Sequence, residues 1–142
     1  MTTLSHLNKN DQPAIVDVSE KKITRRKATA QAIVALPQQV LEALQQDDFK
    51  TKKGSVFQTA VIAGIMGAKK TGELIPLCHP LGLENCEMNI EVNEQQEIVI
   101  HCSTGIEAKT GVEMEALTGA TVAALTIYDM CKALSHDIVI KE

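Results

Sequence analysis

The run GVEMEALTGATVAALTIYDMCKAL, Gly111 to Leu134, limits the possible folds more than any other part of the chain. It contains no proline, and its pattern predicts one long α-helix over 111–134. Apolar side chains go nearly all the way round that helix: Val112, Met114, Leu117, Val122, Leu125, Ile127, Met130 and Leu134. A helix resting on a sheet needs a single apolar stripe. The remaining apolar surface requires a second cover, and another subunit is the economical one because symmetric homo-oligomers are common.

The neighbouring segments supply a sheet for this helix to lie on. KATAQAIVAL alternates enough to predict a strand ended by Pro37. PQQVLEALQQ puts Pro37 at a first helical position with Val40, Leu41 and Leu44 on one side, a short helix. TKKGSVFQTAVIAGIMGAKKTG has Ser55 as a candidate N-cap, an apolar body rich in small residues, and lysines followed by Gly72 at its end. That is the polarity expected of a helix, since cations suit the C-terminal turn. CEMNIEVN and EIVIHCST read as strands joined by a turn at Glu94–Gln96, and DIVIKE as a last strand. With the paired helices taken as one crossover, the order makes two split β-α-β halves. The expected fold is therefore α+β and ferredoxin-like, an antiparallel sheet with helices packed on one face. The 142 residues suit a single domain, 1–142, with residues 1 to about 20 as an irregular polar arm.

Composition removes several classes of function. Hydrophobic residues make up 44 % and charged residues 23 %, the profile of a soluble globular protein. No apolar run reaches membrane-span length, and MTTLSHLNKNDQ lacks the apolar segment of a signal peptide, so no membrane partner is expected. Cys78, Cys86, Cys102 and Cys131 form no C-x-x-C pair, which fits reduced thiols in a cytoplasmic protein. The chain has two Phe, one Tyr and no Trp, and a net charge of −4. Single-stranded nucleic acid is usually stacked on aromatic rings and drawn by positive charge, so no nucleic-acid partner is expected.

The polar groups point to small-molecule chemistry. IPLCHPLG encloses Cys78 and His79 between Pro76 and Pro80. Proline fixes its own φ and pushes the preceding residue toward extended geometry, so this loop offers its side chains in few orientations. Such a loop is also an ordinary connector. Asp129 and Lys132 are neighbours on one helical face, either a surface ion pair or an acid/base pair whose members tune each other, and Thr118 and Thr121 lie on about the same face. Glu113 and Glu115 suit the other end of the helix, where the dipole favours carboxylates. At ~1.5 Å per residue, Glu113 and Asp129 are roughly 24 Å apart, too far for one small substrate to touch both within one chain. Either they serve separate tasks or a second subunit brings the opposite end of its helix near. TKKGS is a basic loop before a helix N-terminus and could hold phosphate, although it lacks P-loop spacing. Adjacent Cys–His pairs at 78–79 and 101–102 make a poor tetrahedral set, so no metal site is expected.

Three longer motifs, IPLCHPL, KTGVEMEALT and AALTIYDMCKA, together with VDVS and KKG followed by TAVIAGI, resemble the molybdenum cofactor biosynthesis protein C family from about Thr3 to Ile140. The resemblance implies a ferredoxin-like homohexamer, a trimer of dimers, with sites where subunits meet. It implies a lyase, a cyclic pyranopterin monophosphate synthase, that converts 3′,8-cyclo-7,8-dihydro-GTP into cyclic pyranopterin monophosphate and releases diphosphate. By motif, Lys53, Asp129 and Lys132 are the implied catalytic residues; Arg26, Cys78, His79, Glu113, Met114 and Glu115 are the implied substrate-binding residues. Arg26 and His79 would serve the triphosphate, and residues 113–115 the base. The rearrangement involves no redox change, so no electron-carrying cofactor is implied, with Mg²⁺ at most accompanying the triphosphate. Family members continue into a Gly/Ser/Lys-rich tail that adds a lysine near the site, whereas this sequence stops at DIVIKE. The alternative expectation is a non-catalytic ferredoxin-like module that binds a small anionic nucleotide.

Overall fold

The computed structural model describes residues 6–141. In chain order the elements are β1 (Thr24–Ala35), α1 (Gln38–Gln46), β2 (Lys50–Thr51), β3 (Gly54–Ser55), α2 (Val56–Lys69), α3 (Thr71–Leu74), β4 (Asn85–Val92), β5 (Ile98–Ala108), α4 (Glu113–Cys131) and β6 (Val139–Ile140). The main sheet is antiparallel with strand order β4-β5-β1-β6. The chain thus crosses from β1 over β5 to β4 through α1 and α2, and from β5 over β1 to β6 through α4. These are the two interleaved β-α-β units of the ferredoxin-like plan.

Alternation fixes which sheet face is covered. On the even-numbered side of β1 and β5, Ala30, Ala32, Val34, Ile98, Ile100 and Cys102 are buried and form one core with α4 residues Ala116, Ala120, Ala123, Ala124 and Ile127. Small residues on both surfaces bring helix and sheet close together. A Cβ added at Gly119 would lie 2.7 Å from Cys102 Sγ and 3.2 Å from the Gly64 carbonyl oxygen, so α4 passes the sheet and α2 where only glycine fits. The outer turns of α4 stay uncovered: Leu117 is 48 % and Leu125 55 % exposed, and Ile62 and Met66 of α2 add to the bare apolar surface.

Several boundaries differ from those the sequence predicts. β1 starts at Thr24 because Thr24 to Lys27 pair with Ala108 to Gly105 of β5, which places the RRK cluster inside a strand. Pro37 is the N-cap of α1 and not its first helical residue: its ψ is 145°, while its carbonyl accepts from the N–H of Val40 and Leu41. The basic loop ahead of Ser55 is itself ordered into a hairpin. Lys52 and Lys53 turn between the two short strands β2 and β3, with Gly54 at φ 107°, a backbone that only glycine adopts without strain. Ser55 does cap α2, accepting from the Gln58 N–H. That helix ends at Lys69, and Gly72 falls within the short α3. Of the polar arm, residues 1–5 lie outside the described residues, as does Glu142 of the expected DIVIKE strand, of which Val139–Ile140 form β6. The rest of the arm is irregular, apart from an isolated bridge between Leu7 and Pro13.

Candidate active site

The β2–β3 turn delivers Lys53 to the C-terminal end of α4. Asp129, in the last turn of that helix, receives Lys53 Nζ on Oδ2 at 3.0 Å and Lys132 Nζ on Oδ1 at 2.9 Å. Lys53 also donates to the Asp129 backbone carbonyl at 3.4 Å, one of the helix-terminal carbonyls that lack an intrahelical partner. Phe49, just before β2, stacks on Phe57, just after β3, with ring centroids 4.4 Å apart, so the rings join the two ends of the hairpin. Hydrogen bonds from Lys132 and then Lys53 hold the Asp129 carboxyl below the usual carboxylate range. The cluster carries two positive charges and one negative, and its members are a little over half exposed. It can attract an anion and pass protons while the carboxylate keeps both ammonium groups in place. A cavity of about 490 Å³ adjoins it, lined by Leu44, Lys50, Lys52, Lys53 and Leu134 among others.

A second polar cluster lies at the N-terminal end of α4. A cleft of about 200 Å³ is lined by Cys78 and His79 of the proline loop, by Thr110, Gly111, Glu113, Met114 and Glu115, and by Val16, Val18 and Lys21 of the arm. His79 Nε2 donates to the Val16 carbonyl at 2.6 Å. Glu115 is 3 % exposed. Burial raises its carboxyl above the usual range; a hydrogen bond from its own backbone N–H opposes this, repulsion from Glu113 adds to it, and His79 opposes it least. The Cys78 thiol is likewise pushed up, first by burial and then by Glu115, so it is a poor nucleophile and a better wall.

Lys53, Asp129 and Lys132 are thus together, and Cys78, His79, Glu113, Met114 and Glu115 are together at the far end of the same helix. Arg26 lies on the covered side of β1 opposite Ile106, with its Nε shielded from solvent and without a hydrogen-bond partner. It does not line the His79 cleft, but its strand partner Ile106 lies near the end of β5, which leads through four residues into α4. The Thr121 hydroxyl donates to the Leu117 carbonyl of its own helix, so it does not extend the lysine cluster. The arm's contribution to the cleft does not emerge from its polar composition. The available signal is the apolar alternation Val16, Asp17, Val18 in an otherwise polar segment. Among the described residues no group of three or more His, Cys, Asp or Glu is placed to hold a metal ion, and no helix is long and apolar enough to cross a membrane.

The profile of the MoaC family matches residues 15–142. The chain is 50 % identical over 137 residues to the cyclic pyranopterin monophosphate synthase of Xanthomonas axonopodis pv. citri (strain 306), covering 96 % of this chain and 83 % of that protein. It is 46 % identical over 145 residues to the synthase of Lysinibacillus sphaericus (strain C3-41), covering 100 % of this chain and 89 % of the relative. Against the molybdenum cofactor biosynthesis bifunctional protein of Synechocystis sp. (strain ATCC 27184 / PCC 6803 / Kazusa) it is 49 % identical over 141 residues, 96 % of this chain but only 41 % of that longer protein. With its ferredoxin-like sheet, its lysine–aspartate cluster and a match along nearly its whole length, the chain belongs to the MoaC family, an enzyme family of molybdenum cofactor biosynthesis.

Proposed function

We propose that this chain is a cyclic pyranopterin monophosphate synthase acting on 3′,8-cyclo-7,8-dihydro-GTP with release of diphosphate. The observation that carries the reading is Asp129 held between two ammonium groups at 3.0 and 2.9 Å. Opening and reclosing a purine-derived ring requires protons to be given and taken at several atoms, and departure of diphosphate requires neutralisation of negative charge. Lys53 and Lys132 supply both, and Asp129 orients them. At the other end, His79 and Arg26 receive the phosphates, while Glu113 and Glu115 accept N–H donors of the guanine-type ring beside Met114 and Cys78. The reaction leaves the overall oxidation state unchanged and calls on no electron carrier; Mg²⁺ enters only with the triphosphate.

The two clusters sit at opposite ends of α4, roughly 24 Å apart at ~1.5 Å per residue. We assign the complete site to two copies of the chain, each contributing one end, within a homohexamer built as a trimer of dimers. The bare apolar surface of Leu117, Leu125, Ile62 and Met66 supports such packing. A cytoplasmic location fits the four unpaired cysteines.

Incubation of purified protein with the cyclised nucleotide should yield cyclic pyranopterin monophosphate and diphosphate. Lys53→Ala and Lys132→Ala should each lower turnover by about 10²- to 10⁴-fold, the usual range for loss of a general acid or base. Saturable nucleotide binding with no product would instead identify a non-catalytic anion-binding module.

A further inference from the structure

The cleft at the start of α4 is closed on one side by a chain segment that no regular element holds. Residues 16–19 pass over it, and two tethers fix them. His79 Nε2 meets the Val16 carbonyl at 2.6 Å, and Lys109 Nζ meets the Ser19 carbonyl at 2.9 Å. Between them the Asp17 side chain accepts the Ser19 N–H at 2.9 Å, closing a local turn, and Lys21 N–H reaches the Val18 carbonyl at 3.0 Å. Lys109 belongs to the four residues that join β5 to α4, the same connection whose Thr110 and Gly111 line the cleft. Three segments distant in sequence, the arm, the proline loop and the β5–α4 connection, are therefore tied together around one imidazole.

The chemistry of the first tether is one-sided. A carbonyl oxygen only accepts, so the His79 Nε2 must carry the hydrogen, and in the neutral ring Nδ1 is left as the acceptor. The prolines limit where the loop can go but do not choose a tautomer; the Val16 carbonyl does. That carbonyl keeps its place only while the arm stays down, and Lys109 is the side chain that grips the arm across the cleft's rim. We propose that Lys109 is a positioning residue, which by holding Ser19 keeps the Val16 carbonyl on His79 and so fixes the Nε2–H tautomer and ring orientation presented to substrate. This rests on the assignment of His79 to the substrate site.

The test is Lys109→Met in the full chain, with Lys109→Arg as the variant that retains a cationic donor and Asp17→Ala as a second loosening of the same turn, one that also removes the attraction between Asp17 and Lys109. Nitrogen-15 NMR of the His79 ring reads the tautomer without any turnover. Wild type should show a protonated Nε2 and an unprotonated Nδ1 in the neutral ring. Lys109→Met and Asp17→Ala should show a mixed ring, and Lys109→Arg should restore the single tautomer. In kinetics, Lys109→Met should raise KM about 3- to 10-fold, the size of one lost hydrogen bond, with kcat nearly unchanged because the lysine–aspartate cluster is untouched. A single Nε2–H tautomer and an unchanged KM in Lys109→Met would overturn the assignment. A wild-type chain that fails to turn over the cyclised nucleotide would refute the proposed activity, while the ring spectra would still decide the tether.

Discussion

Asp129 offers each of its two oxygens to a different ammonium group, one from a hairpin turn and one from its own helix end. Its carboxyl is held below the ordinary value near 3.8, so whatever it adds to stability is present above that value and is lost as pH falls through the lowered one. All three side chains are about half exposed, and solvent screens exposed pairs strongly. Asp129→Asn should therefore leave the melting temperature close to wild type while lowering kcat by about 10²-fold, because both lysines lose the negative charge that orients them. Thermal melts beside turnover assays separate the two effects. Glu115 has the opposite sign. Burial raises its carboxyl above the ordinary value near 4.5, so the native state favours the protonated form and ionisation works against folding as pH rises through the raised value. Glu115→Gln should be more stable than wild type at pH 7, the gain shrinking toward pH 4, with weaker substrate affinity throughout. Equal melting temperatures at pH 7 would contradict the burial argument. The pairing of Asp129 with Lys132 is legible in the sequence from their three-residue spacing. The arrival of Lys53 is legible only through family motifs, since a separation of 76 positions from Asp129 leaves no local signal.

At the level of elements, the long helix, the capped α2 and the β4–β5 hairpin follow from periodicity and turn chemistry, and all three are present. What the sequence hides is set by contacts between segments. β2 and β3 have two residues each, too short for any period to register, and the hairpin exists because Gly54 accepts φ 107° and two phenylalanines stack at its ends. The N-terminal extension of β1 through Arg25 and Arg26 follows from pairing with Glu107 and Ile106, not from the alternation of its own residues. The crossing of α2 and α4 is a further case. Gly119→Ala would place a methyl group 2.7 Å from Cys102 Sγ in a fully buried contact. Overpacking of this kind typically costs about 1–3 kcal/mol, which denaturant titration should detect as a lower midpoint with unchanged slope. If Gly119→Ala were as stable as wild type, α4 would not lie as close to Cys102 of β5 and to Gly64 of α2 as described.

For the whole molecule, the decisive fact is that one chain carries its polar clusters at both ends of a helix whose middle presents Leu117 and Leu125 to solvent. A substrate small enough to sit in a cleft of about 200 Å³ leaves the other cluster idle unless a second copy supplies it. The proposed arrangement has a consequence that no single-chain site shares. His79→Ala removes one end and Asp129→Asn the other, and each variant alone should be nearly inactive. When the two are co-expressed and assemble at random, half of the pairs contain one chain of each kind. Each such pair has one site carrying both substitutions and one carrying neither. Roughly a quarter of all sites are then intact, and about that fraction of wild-type activity should return. Leu125→Glu, which puts a charge on the exposed apolar face, should prevent both assembly and this rescue, with light scattering recording the loss of mass. Mixed samples no more active than either parent, in assemblies shown to contain both chains, would mean that each chain works with its own two ends.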